Sequence, residues 1–255
     1  MGDVDYRVVG SGRPLVLVTG LGASIDDWAP IFVNALATHF RVYVFDNAGV
    51  GQTAALPSPL TIQEMANQTS TFLTALHIGR CAVLGWSMGG MIAQALAIEH
   101  PHQVTKLILA ATQAGTGKAI PPSAAFQAEA SSTNPLVVLN ILFPKSQALA
   151  LQTYVGGVLR YPDRYSASVS VKAEQNTAID QWFAGDDAIA HRISNIRIPT
   201  LIADGTQDVL DPTSNARQLS HLIHTSTLVL YPDAGHGFLF QDEVPFSRRI
   251  ESFVG

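Results

Sequence analysis

The chain has 255 residues, 47% of them hydrophobic, and a formal net charge of −5, which suits one or two domains with a large core. Asp, Glu, Lys and Arg make up only 14% of it, against about 25% in an average soluble domain. The composition excludes disorder, which needs low hydrophobicity and high net charge, and its acidic balance argues against a nucleic-acid surface, which needs a basic stripe.

The start, Met1-Gly2-Asp3-Val4-Asp5, is acidic. It lacks the basic region and apolar core of a secretory signal, so a cytoplasmic location is expected. Residues 14–19 form a short apolar run ending in glycines, the pattern of a parallel strand covered on both faces. Residues 27–40 carry helical spacing through Trp28, Ile31, Phe32, Ala35 and Leu36. Residues 41–46 read as a strand. Residues 61–77 read as a helix with Thr61 as N-cap and Glu64 at the capping-box position. A strand over 81–85, a helix over 87–99 and a strand over 104–110 follow. From 113 to about 195 there are helices and loops but no strand ladder. The alternation resumes with a strand over 198–203, a helix near 212–223, a strand over 227–231 and a closing helix over 244–253.

This order predicts an open, mostly parallel α/β sheet with helices on both faces. The block 113–195 is too long for a plain loop and reads as a helical cap between two parts of one core, 1–112 and 196–255. The uncharged stretch 81–98 is broken by Gly85, Ser87, Gly89, Gly90 and Gln94, so it reads as strand, turn and helix rather than a membrane span. The single cysteine, Cys81, allows no internal disulfide and no thiolate zinc cluster. In its apolar run it is expected as a buried, inert thiol.

In open α/β sheets ligands sit beyond the carboxyl ends of the strands. After the strand 81–85 comes Gly85-Trp86-Ser87-Met88-Gly89-Gly90, a G-x-S-x-G turn that would lift a serine hydroxyl above the sheet, with glycines relieving the clashes of a strained bend. The competing reading is a serine N-cap. A serine needs a base to take its proton, and His236 lies in the glycine-flanked loop after the last strand. The base needs an orienting carboxylate. Three aspartates compete in the preceding strand-end loop. Asp204 ends the strand, Asp208 sits inside the loop and is favoured, and Asp211 before Pro212 reads as an N-cap with proline at N1. Asp233 reads as a turn residue. Oxyanion donors are expected from the backbone of Met88 and of Leu21, in the loop Thr19-Gly20-Leu21-Gly22-Ala23-Ser24.

At this point the sequence resembles the α/β-hydrolase superfamily, with its chain order Ser87, Asp208, His236, its elbow and its glycine-rich oxyanion loop. Asp46-Asn-Ala-Gly-Val-Gly-Gln-Thr53 is similar to the superfamily's Asp-x-Arg-Gly-x-Gly-x-Ser turn. The resemblance covers essentially the whole chain, with 113–195 as the helical cap. Two departures stand out: Thr19 where histidine often opens the oxyanion loop, and Ala48 where arginine is usual. Ser87 separates the chain from the dehalogenase and epoxide hydrolase branches, which carry aspartate at the elbow.

The resemblance implies a serine esterase acting on a small neutral ester or lactone, with no metal and no organic cofactor. Cofactor-free haloperoxidases, which the Trp-Ser-Met-Gly-Gly elbow resembles, carbon–carbon bond hydrolases and hydroxynitrile lyases share the fold. Two readings of other classes are a low-turnover ligand-binding protein and a dinucleotide-binding one. The latter would use Gly20, Gly22 and Asp46, but Ile25 replaces its third glycine. Candidate pocket residues are Trp28, Trp86, Phe126, Leu139, Phe143, Trp182 and Leu239. From 113 to 159 only Lys118, Glu129 and Lys145 are charged, whereas 160–192 holds nine charged residues. The missing charge is thus expected to mark an apolar lid that favours neutral substrates. The residues are silent on oligomeric state.

Overall fold

A computed structural model describes residues 3–130, 132–161 and 165–255. Met1 and Gly2, which open the N-terminal reading, and Asp163 and Arg164 of the charge-rich half of the cap lie outside the described residues. Among the described residues seven strands form one sheet in the order β1-β3-β2-β4-β5-β6-β7. They are β1 Tyr6–Val9, β2 Arg13–Val18, β3 Phe40–Phe45, β4 Cys81–Trp86, β5 Val104–Ala110, β6 Thr200–Gly205 and β7 Ser226–Tyr231. All neighbours pair in parallel except β1, which runs antiparallel to β3 at the edge. β1 escapes the sequence pattern because its four residues are half-exposed and too few to show a period.

The strand interiors alternate between two cores, as the two-residue period of a strand requires. Val16, Val18, Val83, Leu107, Leu109 and Ile202 face one side, where α2 (Ile62–Ala75), α3 (Met88–Glu99) and α8 (Thr213–Leu222) pack. Leu15, Leu17, Leu84, Ile108 and Leu201 face the other, under α1 (Pro30–Ala37) and α10 (Glu243–Val254). α3 is buried on every side from Met88 to Ile98. That explains its lack of charge before Glu99: a helix apolar all round belongs inside. No helix among the described residues is long and apolar enough to cross a membrane.

Several boundaries differ from the sequence expectation for local reasons. The helix expected from 27 opens only at Pro30. Ser24 instead caps a short 3₁₀ turn, Ile25–Asp27, in a reciprocal bond with Asp27, and Trp28 leaves that turn extended. Thr61 does cap α2 by accepting the Glu64 N–H, but the Glu64 carboxylate accepts from the Thr61 hydroxyl at 3.3 Å rather than from its N–H. β6 starts at Thr200, after Pro199, which has no N–H to give a ladder. Asp211 is not an N-cap: Pro212 holds that position, and the Asp211 carboxylate accepts from Asn215 Nδ2 at 2.7 Å.

Between β5 and β6 the described residues form no strand: the helices are α4 Ala124–Ala130, α5 Pro135–Leu142, α6 Ala148–Val158 and α7 Val169–Ala184, with 3₁₀ turns at Lys145–Gln147 and Ala190–Asn195. After β7 comes a one-turn helix, α9 Phe238–Gln241, which the sequence reading did not separate from its loop.

Candidate active site

Ser87 sits between β4 and α3 at φ 58° and ψ −124°, a backbone region costly for any residue with a side chain. Three hydrogen bonds hold it there. Its N–H donates to Ala110 O at 2.9 Å, its carbonyl accepts from Gly90 N at 2.8 Å, and the Thr112 hydroxyl donates to the same carbonyl at 2.8 Å. It stands at the N-cap position of α3, but its side chain makes no capping bond, and the residue remains partly exposed. The glycines are needed for close approach. A β-carbon on Gly89 would lie 2.1 Å from Val18 O, and one on Gly85 would lie 2.2 Å from Gly89 O.

Gly20 brings the loop after β2 against the same serine: a β-carbon there would lie 3.2 Å from Ser87 Cβ and 3.7 Å from Ser87 Oγ. Asn47, after β3, donates to Thr19 O at 3.1 Å and Thr19 Oγ1 at 3.0 Å. Asp46 accepts the Ile25 N–H at 2.7 Å. Burial pushes its carboxyl up to about 7, against the lowering effect of that bond. The loop is thus braced through Asp46 and Asn47 despite Ala48 in place of arginine. Among the described residues neither Leu21 N–H nor Met88 N–H, the first helical amide of α3, donates to a protein acceptor.

His236 and Asp208 come from the loops after β7 and β6, which are neighbours in the sheet. His236 Nδ1 lies 2.7 Å from Asp208 Oδ2, with both residues buried. Asp208 Oδ1 accepts from Leu210 N and Asp211 N, each at 2.8 Å. Among the described residues three N–H donors therefore converge on Asp208, whereas one N–H reaches each of Asp204 and Asp211, from Gly205 N and Asn215 Nδ2. Burial and the neighbouring Asp208 raise Asp204 well above the usual carboxylate range and push Asp211 up to about 8. Burial pulls the His236 imidazole down, but the Asp208 charge and hydrogen bond outweigh it, and its pKa is raised. Of the three competing aspartates, Asp208 is thus the one paired with His236.

The histidine loop is laced to its surroundings. Gln207 N donates to Ala234 O at 2.8 Å, and Gly237 N donates to Leu142 O of α5 at 2.9 Å. Trp86, expected in a pocket wall, instead donates from Nε1 to His236 O at 3.0 Å. It thereby ties the elbow of β4 to a loop three strands away, and nothing in the sequence pattern signals this link. Trp28, Trp182 and Leu239 are almost fully enclosed. Trp182 donates to Gln113 O at 3.2 Å and packs against Gly115, and Trp28 joins an aromatic cluster with Phe32, Trp86 and Phe240. Phe143 is buried against Tyr154, whereas Phe126 and Leu139 are partly exposed on the cap. Asp233 is a turn residue at φ 56°. Cys81 is buried, and burial pushes its thiol up to about 12. Two surface cavities of about 280 and 260 Å³ open elsewhere, beside β1 and beside α2, and are not lined by Ser87.

The sheet order, the serine elbow and the paired strand-end loops define an α/β hydrolase. The family model for the alpha/beta hydrolase fold matches residues 13–243, and the chain belongs to that family. Among its relatives, a Pseudomonas syringae protein named as a carbamate hydrolase, RutD, is 29% identical over 94% of this chain and 93% of its own length. A poly(3-hydroxyalkanoate) depolymerase from Ectopseudomonas oleovorans is 31% identical over 94% of this chain and 84% of its own length. A solved alpha/beta hydrolase fold protein from Chitinophaga pinensis superposes with a TM-score of 0.85 at 27% identity, over 98% of this chain and 93% of that one.

Proposed function

We propose that this hydrolase cleaves small neutral carboxylic esters or lactones through an acyl-enzyme on Ser87. The observation that carries the reading is what the strand-end loops hold at one end of the sheet: a partly exposed serine on a strained elbow after β4 and a buried His236–Asp208 pair at 2.7 Å in the loops after β7 and β6, with Trp86 of the elbow bonded to His236 O at 3.0 Å. Ser87 Oγ attacks the carbonyl carbon as His236 takes its proton. Asp208, holding Nδ1–H, fixes the tautomer and stabilises the imidazolium. The tetrahedral oxyanion is received by the amides of Leu21 and Met88. His236 then gives its proton to the departing alkoxide. Water, deprotonated by the same histidine, releases the acid.

The carbamate hydrolase relative supports a second substrate class with the same chemistry, since a carbamate offers an acyl carbon to the same attack. The test is a p-nitrophenyl ester series from acetate to decanoate beside a p-nitrophenyl carbamate, with Ser87→Ala as control. Turnover that vanishes in Ser87→Ala supports the reading, and the faster member of the ester–carbamate pair names the class. Native protein that resists a fluorophosphonate probe, or Ser87→Ala that labels equally, overturns it.

A further inference from the structure

The helix α7 crosses above the carboxyl ends of the strands. Near its start, Val171 and Lys172 lie over Gly49 and Gly22, in the loops after β3 and β2: β-carbons on those glycines would lie 2.9 Å from Val171 Cγ2 and 2.6 Å from Lys172 Cε. Near its end, Trp182 is bonded to Gln113, after β5. In the sheet β4 lies between β2 and β5, so the middle of α7 passes the carboxyl end of β4, which leads into Ser87. Gln175 stands on this stretch, fully buried. Its Oε1 accepts the Gly22 N–H at 2.8 Å.

That bond fixes the carboxamide. An N–H can face only the oxygen, so the NH₂ end must point the other way. Among the described residues no acceptor reaches Gln175 Nε2, although the atom is buried. Buried donors are nearly always paired, so an orphan with a fixed orientation calls for a partner. A carboxamide spans about 2.2 Å from O to N, so Nε2 lies within about 5 Å of the Gly22 nitrogen and about 9 Å of the Leu21 nitrogen.

We infer that Gln175 Nε2 is a specificity-determining donor for a neutral carbonyl or ether oxygen carried two to four bonds beyond the scissile carbonyl. This rests on the reading of Ser87 as nucleophile, which sets where the scissile group lies. The partner is neutral because an amide offers a buried carboxylate no counter-charge. Gln175 also has a second, separable role, since its oxygen braces the oxyanion loop at Gly22.

Substrates of matched size test the inference: ethyl butyrate, ethyl acetoacetate with one added carbonyl, and monoethyl succinate with an added charge. Binding to Ser87→Ala is measured by titration, and kcat/KM in the native enzyme. Ethyl acetoacetate is expected to bind about tenfold more tightly than ethyl butyrate, the usual effect of satisfying a buried donor. Gln175→Met, which removes donor and brace, abolishes that preference. So does Gln175→Glu at pH 9, which keeps an oxygen for Gly22 N–H but removes the donor. The inference is overturned by equal binding of the two esters, by a preference that survives both Gln175 variants, or by tighter binding of monoethyl succinate, which would point to Lys172 instead. Absence of all binding and turnover removes the nucleophile reading as well, whereas equal handling of the esters removes the donor role alone.

Discussion

Replacing Asp211 with asparagine should make the protein more stable, and only above acid pH. The Asp211 side chain is buried, its Oδ1 accepts from Asn215 at 2.7 Å, and its Oδ2 has no partner among the described residues. Burial, reinforced by Asp208, raises its pKa from 3.8 to about 8. The unfolded chain loses this proton near pH 3.8, while the folded chain keeps it to about pH 8. Folding must therefore take up a proton between those values. A raised carboxyl pKa costs nothing below the lower value, costs progressively more as pH rises, and reaches its limit near the upper one. At pH 7 about three pH units have been crossed, and at about 1.4 kcal/mol per unit the penalty approaches 4 kcal/mol. Asparagine has the same shape, keeps an oxygen for Asn215 and has no proton to take up. Its NH₂ replaces the carboxyl O–H at the same unpartnered position, so that desolvation cost cancels. Urea midpoints of Asp211→Asn and native protein should coincide near pH 4 and diverge by up to about 4 kcal/mol at pH 7, a large part of a typical domain's stability. A gain independent of pH, or a loss at pH 7, would refute the charge assignment.

Ser87→Gly should abolish ester turnover yet raise the melting temperature. Releasing an outlier backbone is worth about 1–3 kcal/mol and glycine's added unfolded-state entropy costs about 0.5–1 kcal/mol, so the net is a gain of about 1 kcal/mol, and thermal unfolding reads it. Asp208→Asn should lower kcat by about 10³–10⁴-fold. It should also move the acid limb of the kcat/KM profile to lower pH, because Asp208 is what raises His236; an unmoved limb would mean that another group sets it. Gly89→Ala, whose β-carbon would meet Val18 O at 2.1 Å and Thr19 O at 2.6 Å, pits backbone against backbone. It should cost more than about 3 kcal/mol, seen as insoluble protein or a collapsed urea midpoint.

The parts of the fold that were legible in the sequence are those governed by periodicity and turn chemistry. The strand at Val104–Ala110 and the cap of α2 at Thr61 coincide with their expected places, because a buried run and a hydroxyl N-cap are local signals. The pairing of Asp208 with His236 was also accessible, since the loops of neighbouring strands must meet. What stayed hidden was set by contacts distant in sequence. The bond from Trp86 to the His236 carbonyl joins residues separated by most of the core. The reach of Gln175 to Gly22 depends on how α7 lies across the sheet. Asp211 has the sequence of an N-cap, and only the approach of Asp208 and Asn215 turns it into a buried carboxyl.

The helical segment leaves the sheet after β5 and returns at β6, and these two strands are neighbours. Its ends are therefore close together, and the sheet closes beneath it whatever it contains. Such an insert has the topology of an exchangeable cassette, free to diverge while the elbow and its partner loops are kept. The exchange is not free of consequences, because Leu142 holds the histidine loop at Gly237 and Gln175 holds the oxyanion loop at Gly22. A foreign cassette grafted at the same two strand ends would need to bring acceptors for both amides. A lineage that rewrites its cap for a new substrate is thereby obliged to preserve, or to reinvent, two hydrogen bonds that never touch that substrate.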